Sequence, residues 1–377
     1  MRFSDIVGQA EAKRRLLQSV AEHRVPHALL ISGAEGTGGL PLALAFAQYM
    51  ACKQRGETDS CGQCPTCRKM AALTQVDLHF CMPLISGAVK EGSEGTEAAV
   101  MAQWREMLLE TPYANEMDWY ERLGDATKQG NISAKAAEKV VEALWYKSYE
   151  IDYRFMLVWL PERLHPVAAN RLLKIVEEPP EGTHFLFVSH HPEDILPTVL
   201  SRLQQIALQP VPEECVASAL EAQGTAQSLA QDIARVSRGN YRQALALASG
   251  QAVSPYFELQ RALYRIAFTS NAEALFDWVE QVTDLGREEQ KAMLRYFAAM
   301  LREILMLNLG IDQLCYLLGE ERKFAKAVSP YINGRNVGYL LDEYATAQQN
   351  IMRNANANIV FTDMGMSHFR LIKRNRL

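Results

Sequence analysis

A short apolar run, Ala28-Leu29-Leu30-Ile31-Ser32, is followed without a gap by Gly33-Ala34-Glu35-Gly36-Thr37-Gly38-Gly39-Leu40, and no other feature narrows the fold as much. Strand, glycine-rich loop and helix in that order form the first half of a βαβ unit. The helix is predicted over Leu40 to Cys52, where Pro41 falls in the first turn and its missing N–H removes no helical bond. A βαβ unit demands parallel neighbours, since a strand that returned antiparallel would need only a tight turn.

The first 208 residues supply them. Arg154 to Leu160 is almost continuously apolar and closes at Pro161, the pattern of a central strand covered on both faces. Thr183 to Ser189 reads the same way, and Val76 to Pro83 is a weaker strand interrupted by His79, Cys81 and Pro83. Helices are predicted over Gln9 to Ala21, over Ala134 to Tyr149 behind an N-cap at Ser133, and over Ala168 to Glu178, stopped by Pro179-Pro180. This alternation argues for an α/β domain with helices on both faces of a parallel sheet. From Pro210 onward strand signals vanish. Glu213 to Gln223, Thr225 to Ser237 and Arg242 to Ala248 predict a small bundle, and helical periodicity returns over Pro255–Phe268, Ala272–Val282, Arg287–Leu309 and Val337–Asn354. A chain of 377 residues exceeds what one core usually holds, so the expected organisation is an α/β domain over 1–208, a small helical domain over 209–250 and an all-helical domain over 251–377. Residues 84–131 are the least regular part, rich in Gly and Glu before a helix predicted over Met101 to Leu109, and read as a partner contact or a surface insertion.

Charge and the chain ends exclude other classes. Thirty-nine basic and 44 acidic residues leave a formal charge of −5, which gives the whole molecule no strong pull on a phosphate backbone. Arg2, Asp5, Glu11 and Lys13 break up any apolar leader, and the runs FMLVWLP and FLFV fall far short of the roughly 20 residues a bilayer requires. The expectation is a soluble, cytoplasmic protein without a membrane partner.

The glycine loop lacks the reactive half of a phosphate-binding loop. In the pattern GxxxxGK[ST], a lysine meets the terminal phosphates and a hydroxyl holds magnesium; here those two positions are Gly39 and Leu40, and Glu35 adds negative charge. Gly33 and Gly38 preserve the scaffold, so the loop reads as a degenerate nucleotide loop, with a purely conformational glycine turn as the competing reading. The strand ending at Leu160 should carry an acidic pair if magnesium were organised there, yet the first acid is Glu162, beyond Pro161, and reads as a solvated loop residue. ATP binding and hydrolysis by this chain are not expected.

Four of the seven cysteines lie within 16 residues, Cys52, Cys61, Cys64 and Cys67, at knuckle-like spacings with Gly62 and Pro65 suited to tight turns. The set predicts a structural zinc site with four thiolate ligands. An iron–sulfur cluster using Cys81 in place of Cys52, and free thiols, are the alternatives. Cys215 and Cys315 fall in helical patterns as small hydrophobes.

Further motifs carry a family resemblance. Ile6-Val7-Gly8-Gln9, the run His27 to Gly33, the cysteine module, Ala168-Ala169-Asn170-Arg171-Leu172-Leu173-Lys174-Ile175-Val176-Glu177-Glu178-Pro179-Pro180, His191-Pro192 and Leu200-Ser201-Arg202-Leu203 together resemble the delta-prime family of bacterial DNA polymerase III clamp-loader subunits, and more broadly the AAA+ clamp-loader family. The one departure within these motifs is Leu203, where the family has cysteine. The resemblance implies an AAA+-type first domain with a zinc module, a lid and a C-terminal helical collar. It implies that Arg202 is an arginine finger acting in trans on a neighbour's ATP, with Ser189 or His190 at the sensor-1 position and Arg242 at sensor 2. Its implied partners are tau/gamma and delta subunits in a hetero-pentamer, a sliding clamp and primed DNA, with Lys174 a candidate phosphate contact. A self-sufficient ATPase and a zinc-dependent nucleic-acid-binding module are the other functional readings.

Overall fold

The computed structural model describes residues 1–85, 87, 94–124, 128–145, 149–249 and 254–373. The chain forms two compact units, Met1–Leu245 and Ala246–Leu377.

The first unit is built on a five-stranded sheet in which every pairing is parallel: β1 (Ala28–Ser32), β2 (Leu78–Cys81), β3 (Arg154–Trp159), β4 (Thr183–Ser189) and β5 (Gln204–Ala207), ordered β2-β3-β4-β1-β5. Side chains alternate across the pleat, and both sides find a core. Leu29, Ile31, Phe155, Leu157, Trp159, Leu186 and Val188 face one hydrophobic cluster; Ala28, Leu30, Met156, Val158, Phe185 and Phe187 face the other. That two-sided burial is why these strands read as unbroken apolar runs. β5 was not foreseen: it is an edge strand with only Ile206 buried.

The helices of this unit are α1 (Ala10–Ala21), α2 (Gly39–Ala51), α3 (Pro65–Ala71), α4 (Glu94–Glu110), α5 (Glu116–Arg122), α6 (Ala134–Trp145), α7 (Pro166–Glu177), α8 (Pro197–Leu200), α9 (Glu213–Ala222), α10 (Gln227–Ser237) and α11 (Tyr241–Ala248), the last running past the boundary of the unit. The stretch 84–131, expected to be the least regular part with one helix over Met101 to Leu109, carries that helix within the longer α4 and adds α5. Trp104, Met107, Leu108, Trp119 and Tyr120 enter the main core, where Trp104 stands 5.1 Å from Trp119 and 5.0 Å from Trp159 of β3. Most of the Gly/Glu-rich stretch before α4, residues 86 and 88–93, lies outside the described residues.

The second unit is helical throughout its described part: α12 (Phe257–Thr269), α13 (Ala272–Thr283), α14 (Arg287–Asn308), α15 (Gly319–Val328), α16 (Val337–Met352) and α17 (Ala357–Lys373). They enclose a core around Phe257, Trp278, Phe297, Tyr344 and Phe361. His368 is buried there between the Met364 carbonyl, 2.7 Å from Nδ1, and the Tyr344 hydroxyl, 3.0 Å from Nε2. Among the described residues no helix is long and apolar enough to cross a membrane.

Candidate functional site: a glycine-loop cleft and a four-cysteine cluster

β1 lies between β4 and β5, so the loop leaving its C-terminal end opens at the rim where nucleotides and other ligands bind in parallel α/β sheets. Gly33 N–H donates to the Ser189 carbonyl at 3.1 Å, fixing the start of the loop to the end of β4. Gly36 and Gly38 take left-handed φ values of 73° and 95°, and α2 begins at Gly39. At the two positions where a phosphate loop would place lysine and hydroxyl, the chain has only backbone at Gly39 and a core side chain at Leu40, which is 3% exposed. The one hydroxyl in the loop, Thr37 Oγ1, donates to the Ala34 carbonyl at 2.7 Å.

Two other segments close over this loop. Tyr241 N–H donates to the Gly36 carbonyl at 3.0 Å, and Asn240 packs so tightly that a Cβ at Gly36 would lie 1.9 Å from its Oδ1. Arg242 forms a two-pronged ion pair with Asp118, Nε to Oδ2 at 3.0 Å and Nη2 to Oδ1 at 2.7 Å. Asp118 caps α5 together with Asn115, each accepting the other's backbone N–H at 2.9 and 3.0 Å. Asn115 Nδ2 also donates to Glu35 in the glycine loop at 3.3 Å. Tyr113 lies against Gly38 and accepts the Val7 N–H at 2.9 Å, and burial pushes its hydroxyl up to about 12. The structure therefore brings Gly33, Gly36, Gly38 and Arg242 into one cleft. It adds Tyr113, Asn115 and Asp118, which the sequence reading missed; only the Asn115-x-x-Asp118 spacing, a helix-start signal, marked them.

Glu162 is not the solvated loop residue that the sequence suggested. Its Oε1 accepts the N–H groups of His190 and His191 at 3.1 and 3.2 Å, its Oε2 has no hydrogen-bond partner among the described residues, and burial raises its carboxyl above the usual range. Ser189 is buried at the end of β4, and burial lowers the neighbouring His190 to about 4. Next to Glu162, Arg163 grips Glu116 of α5 through Nε and Nη2 at 2.7 and 2.8 Å. Arg202 follows α8 and has its partners elsewhere: Nη1 donates to the Thr198 carbonyl at 2.7 Å, and the guanidinium pairs with Glu177 at the end of α7. Lys174 is exposed on α7.

The four cysteines converge on their own. Cys52 ends α2, Cys61 lies in the following loop, Cys64 is the N-cap of α3 and Cys67 sits in its first turn. All four sulfurs lie within 4.8 Å of one another, with Cys61 and Cys67 at 3.8 Å. Four thiolates about 2.3 Å from a tetrahedral ion would stand about 3.8 Å apart, so the cluster can coordinate a metal. Backbone N–H groups point at the sulfurs: Cys61 N to Cys52 Sγ, Cys64 N to Cys61 Sγ and Cys67 N to Cys64 Sγ, each at 3.4 Å. The N–H groups of Gln63 and Cys64 bring the Cys61 thiol down to about 6, while burial pushes Cys67 up. Cys81, the alternative fourth ligand, is buried in β2 and is not one of the four. Cys315 is buried as expected, whereas Cys215 is only half-buried.

The family model described as "DNA polymerase III, delta subunit" matches residues 8–212. The chain is 28% identical over 302 residues to the delta-prime subunit of DNA polymerase III from Escherichia coli, covering 79% of this chain and 75% of that one. It is 24% identical over 311 residues to the Bacillus subtilis delta-prime subunit, covering 82% and 80%. Similarity extends to the Escherichia coli tau subunit, 26% identical over 304 residues, which spans 79% of this chain but 40% of that one. With more than half of its length matched by one family model, and with a parallel sheet that opens on a glycine loop of this form, the chain belongs to the delta-prime family of DNA polymerase III, among the AAA+ clamp-loader proteins.

Proposed function

We propose that this chain is a non-hydrolysing subunit of a replicative clamp loader, completing a hetero-pentameric ring with tau/gamma and delta subunits that places a sliding clamp on primed DNA. The observation that carries this reading is the pair Gly39 and Leu40: a loop with no lysine, and with its hydroxyl position given over to the core, has nothing to neutralise a terminal phosphate or hold magnesium. In this reading Arg202 acts in trans on a neighbour's ATP, where its guanidinium fork offsets charge developing on the transferred phosphoryl group. Its exposed position and its surface pairing with Glu177 suit an arginine that exchanges partners on assembly. Residues 209–250 serve as the lid and 251–377 as the collar that joins the ring, in the cytoplasm.

The four-cysteine cluster holds structural zinc in the same reading, because its ligand set is complete without water or substrate. Its loop also ties down the N-terminal residues: Asp59 accepts the N–H groups of Phe3 and Ser4 at 3.1 and 2.9 Å.

The test is Arg202→Ala in the reconstituted complex. The expected result is intact assembly with DNA-dependent ATP turnover reduced at least tenfold, a conservative floor beside the roughly 10³-fold or more that an arginine finger supplies. Unchanged turnover refutes the finger, and ATP hydrolysis by the isolated chain refutes the non-hydrolysing role.

A further inference from the structure

We infer that the cleft above the glycine loop is filled by the chain's own segment Tyr113–Asp118, which acts as a built-in ligand that clamps the loop to Tyr241 and Arg242 without nucleotide. The inference deepens the non-hydrolysing reading above, but it stands on different contacts.

The segment touches the glycine loop, the N-terminal segment and Tyr241–Arg242, each with a group suited to it. Tyr113 places an aromatic ring against Gly38, with 3.0 Å between its Cε1 and where a Cβ would be, and stacks edge-on to Tyr241 at 4.9 Å. Its hydroxyl takes the Val7 N–H, so one side chain bonds to the N-terminal segment and packs on both the glycine loop and α11. Asp118 offers Arg242 two carboxylate oxygens that share one negative charge, a two-pronged acceptor that takes the place a phosphate's oxygens would take. Asn115 donates to Glu35, quieting the carboxylate that would otherwise face an anion. The segment is itself anchored from behind. Glu116 is gripped by Arg163 and accepts the Tyr120 hydroxyl at 2.6 Å, and Trp119 Nε1 donates to the Pro83 carbonyl at 2.7 Å. A ring, a hydrogen-bonded amide and an anion paired with arginine are thus delivered by a rigid capped helix rather than by a diffusing ligand, so the ordering cost is met once, on folding.

The consequence is that residues 33–39 and 239–244 keep one relative arrangement whatever the nucleotide concentration. Hydrogen exchange on the full chain, read with and without millimolar Mg·ATP, tests this. Wild type should show slow exchange at Val7 and over 33–39 and 239–244, unchanged by nucleotide. Tyr113→Phe should accelerate Val7 at least tenfold while sparing the loop, because the ring stays and only the acceptor is lost. Asp118→Asn should accelerate 239–244 at least tenfold, and Tyr113→Ala should release the loop as well. Unchanged exchange in the two conservative variants overturns the clamp and leaves the non-hydrolysing reading standing. Added protection of wild type by Mg·ATP without turnover also overturns the clamp alone; turnover overturns the earlier reading too.

Discussion

Trp104 and Trp119 form a matched pair on which the placement of residues 94–122 can be tested. Both are fully buried, 5.1 Å apart. They differ in one bond: Trp119 Nε1 donates to the Pro83 carbonyl at 2.7 Å, whereas Trp104 Nε1 has no acceptor among the described residues. Replacing either by Phe trims the same atoms from the core, at about 1 kcal/mol. Trp119→Phe in addition breaks the bond and leaves a buried carbonyl without that donor, adding about 1–3 kcal/mol. Trp104→Phe removes a desolvated donor that already costs the native state about 1–3 kcal/mol, so its two terms oppose each other. The expected result is a loss of about 2–4 kcal/mol for Trp119→Phe and, for Trp104→Phe, anything from no change to a gain of about 2 kcal/mol. Urea unfolding followed by circular dichroism, with m-values checked for equality, measures both. The alanine variants calibrate the site, at about 3–5 kcal/mol each. Equal costs for the two Phe variants would refute the hydrogen-bond reasoning, and alanine costs below about 1 kcal/mol would refute the burial of this segment.

Gly36→Ala forces a side chain into a left-handed φ and against Asn240, so it should destabilise the first unit by about 1–3 kcal/mol and speed exchange at Tyr241; a neutral variant contradicts the close approach. His190 and His368 are held neutral by burial down to about 4, below the usual value near 6.5, so the unfolded chain binds protons that the native chain refuses. Stability should therefore fall as pH drops from about 6.5 to 4, by on the order of 3 kcal/mol per group, and His368→Gln should flatten that slope for the C-terminal unit, as pH-dependent urea melts would show. Removing metal with a strong chelator should lower the melting temperature and release about one zinc per chain, with the largest gain in hydrogen exchange over residues 1–4 and 52–67; full retention of both contradicts a structural site.

What the sequence made legible follows from where each signal is stored. β1, β3 and β4 are covered on both faces, so each writes its burial as an apolar run in its own residues. β5 has one buried residue in four and writes almost nothing, while α3 and α5 are seven residues long, too short for periodicity to accumulate. The cysteine cluster is legible because its ligands are near neighbours in the chain. Glu162 misled because its burial is set by amides of His190 and His191, on a different strand's end, and the Asp118–Arg242 pair spans 124 positions, so the helix-start spacing at Asp118 marks a cap and says nothing of its partner.

The glycine loop shows how a motif can be read correctly and still be over-read. Gly36 has no room for a Cβ because Asn240 stands there, and Gly38 combines a φ of 95° with the ring of Tyr113. Both glycines are demanded by contacts within the chain, so they would be required whether or not any phosphate visited the loop. The glycine spacing therefore reports the shape of the turn and the closeness of its neighbours. Only positions 39 and 40 report on phosphate chemistry, and there the side chains are absent in one case and turned into the core in the other. A loop of this shape without that chemistry is a packing surface, and what packs on it is the chain's own Asn240 and Tyr113.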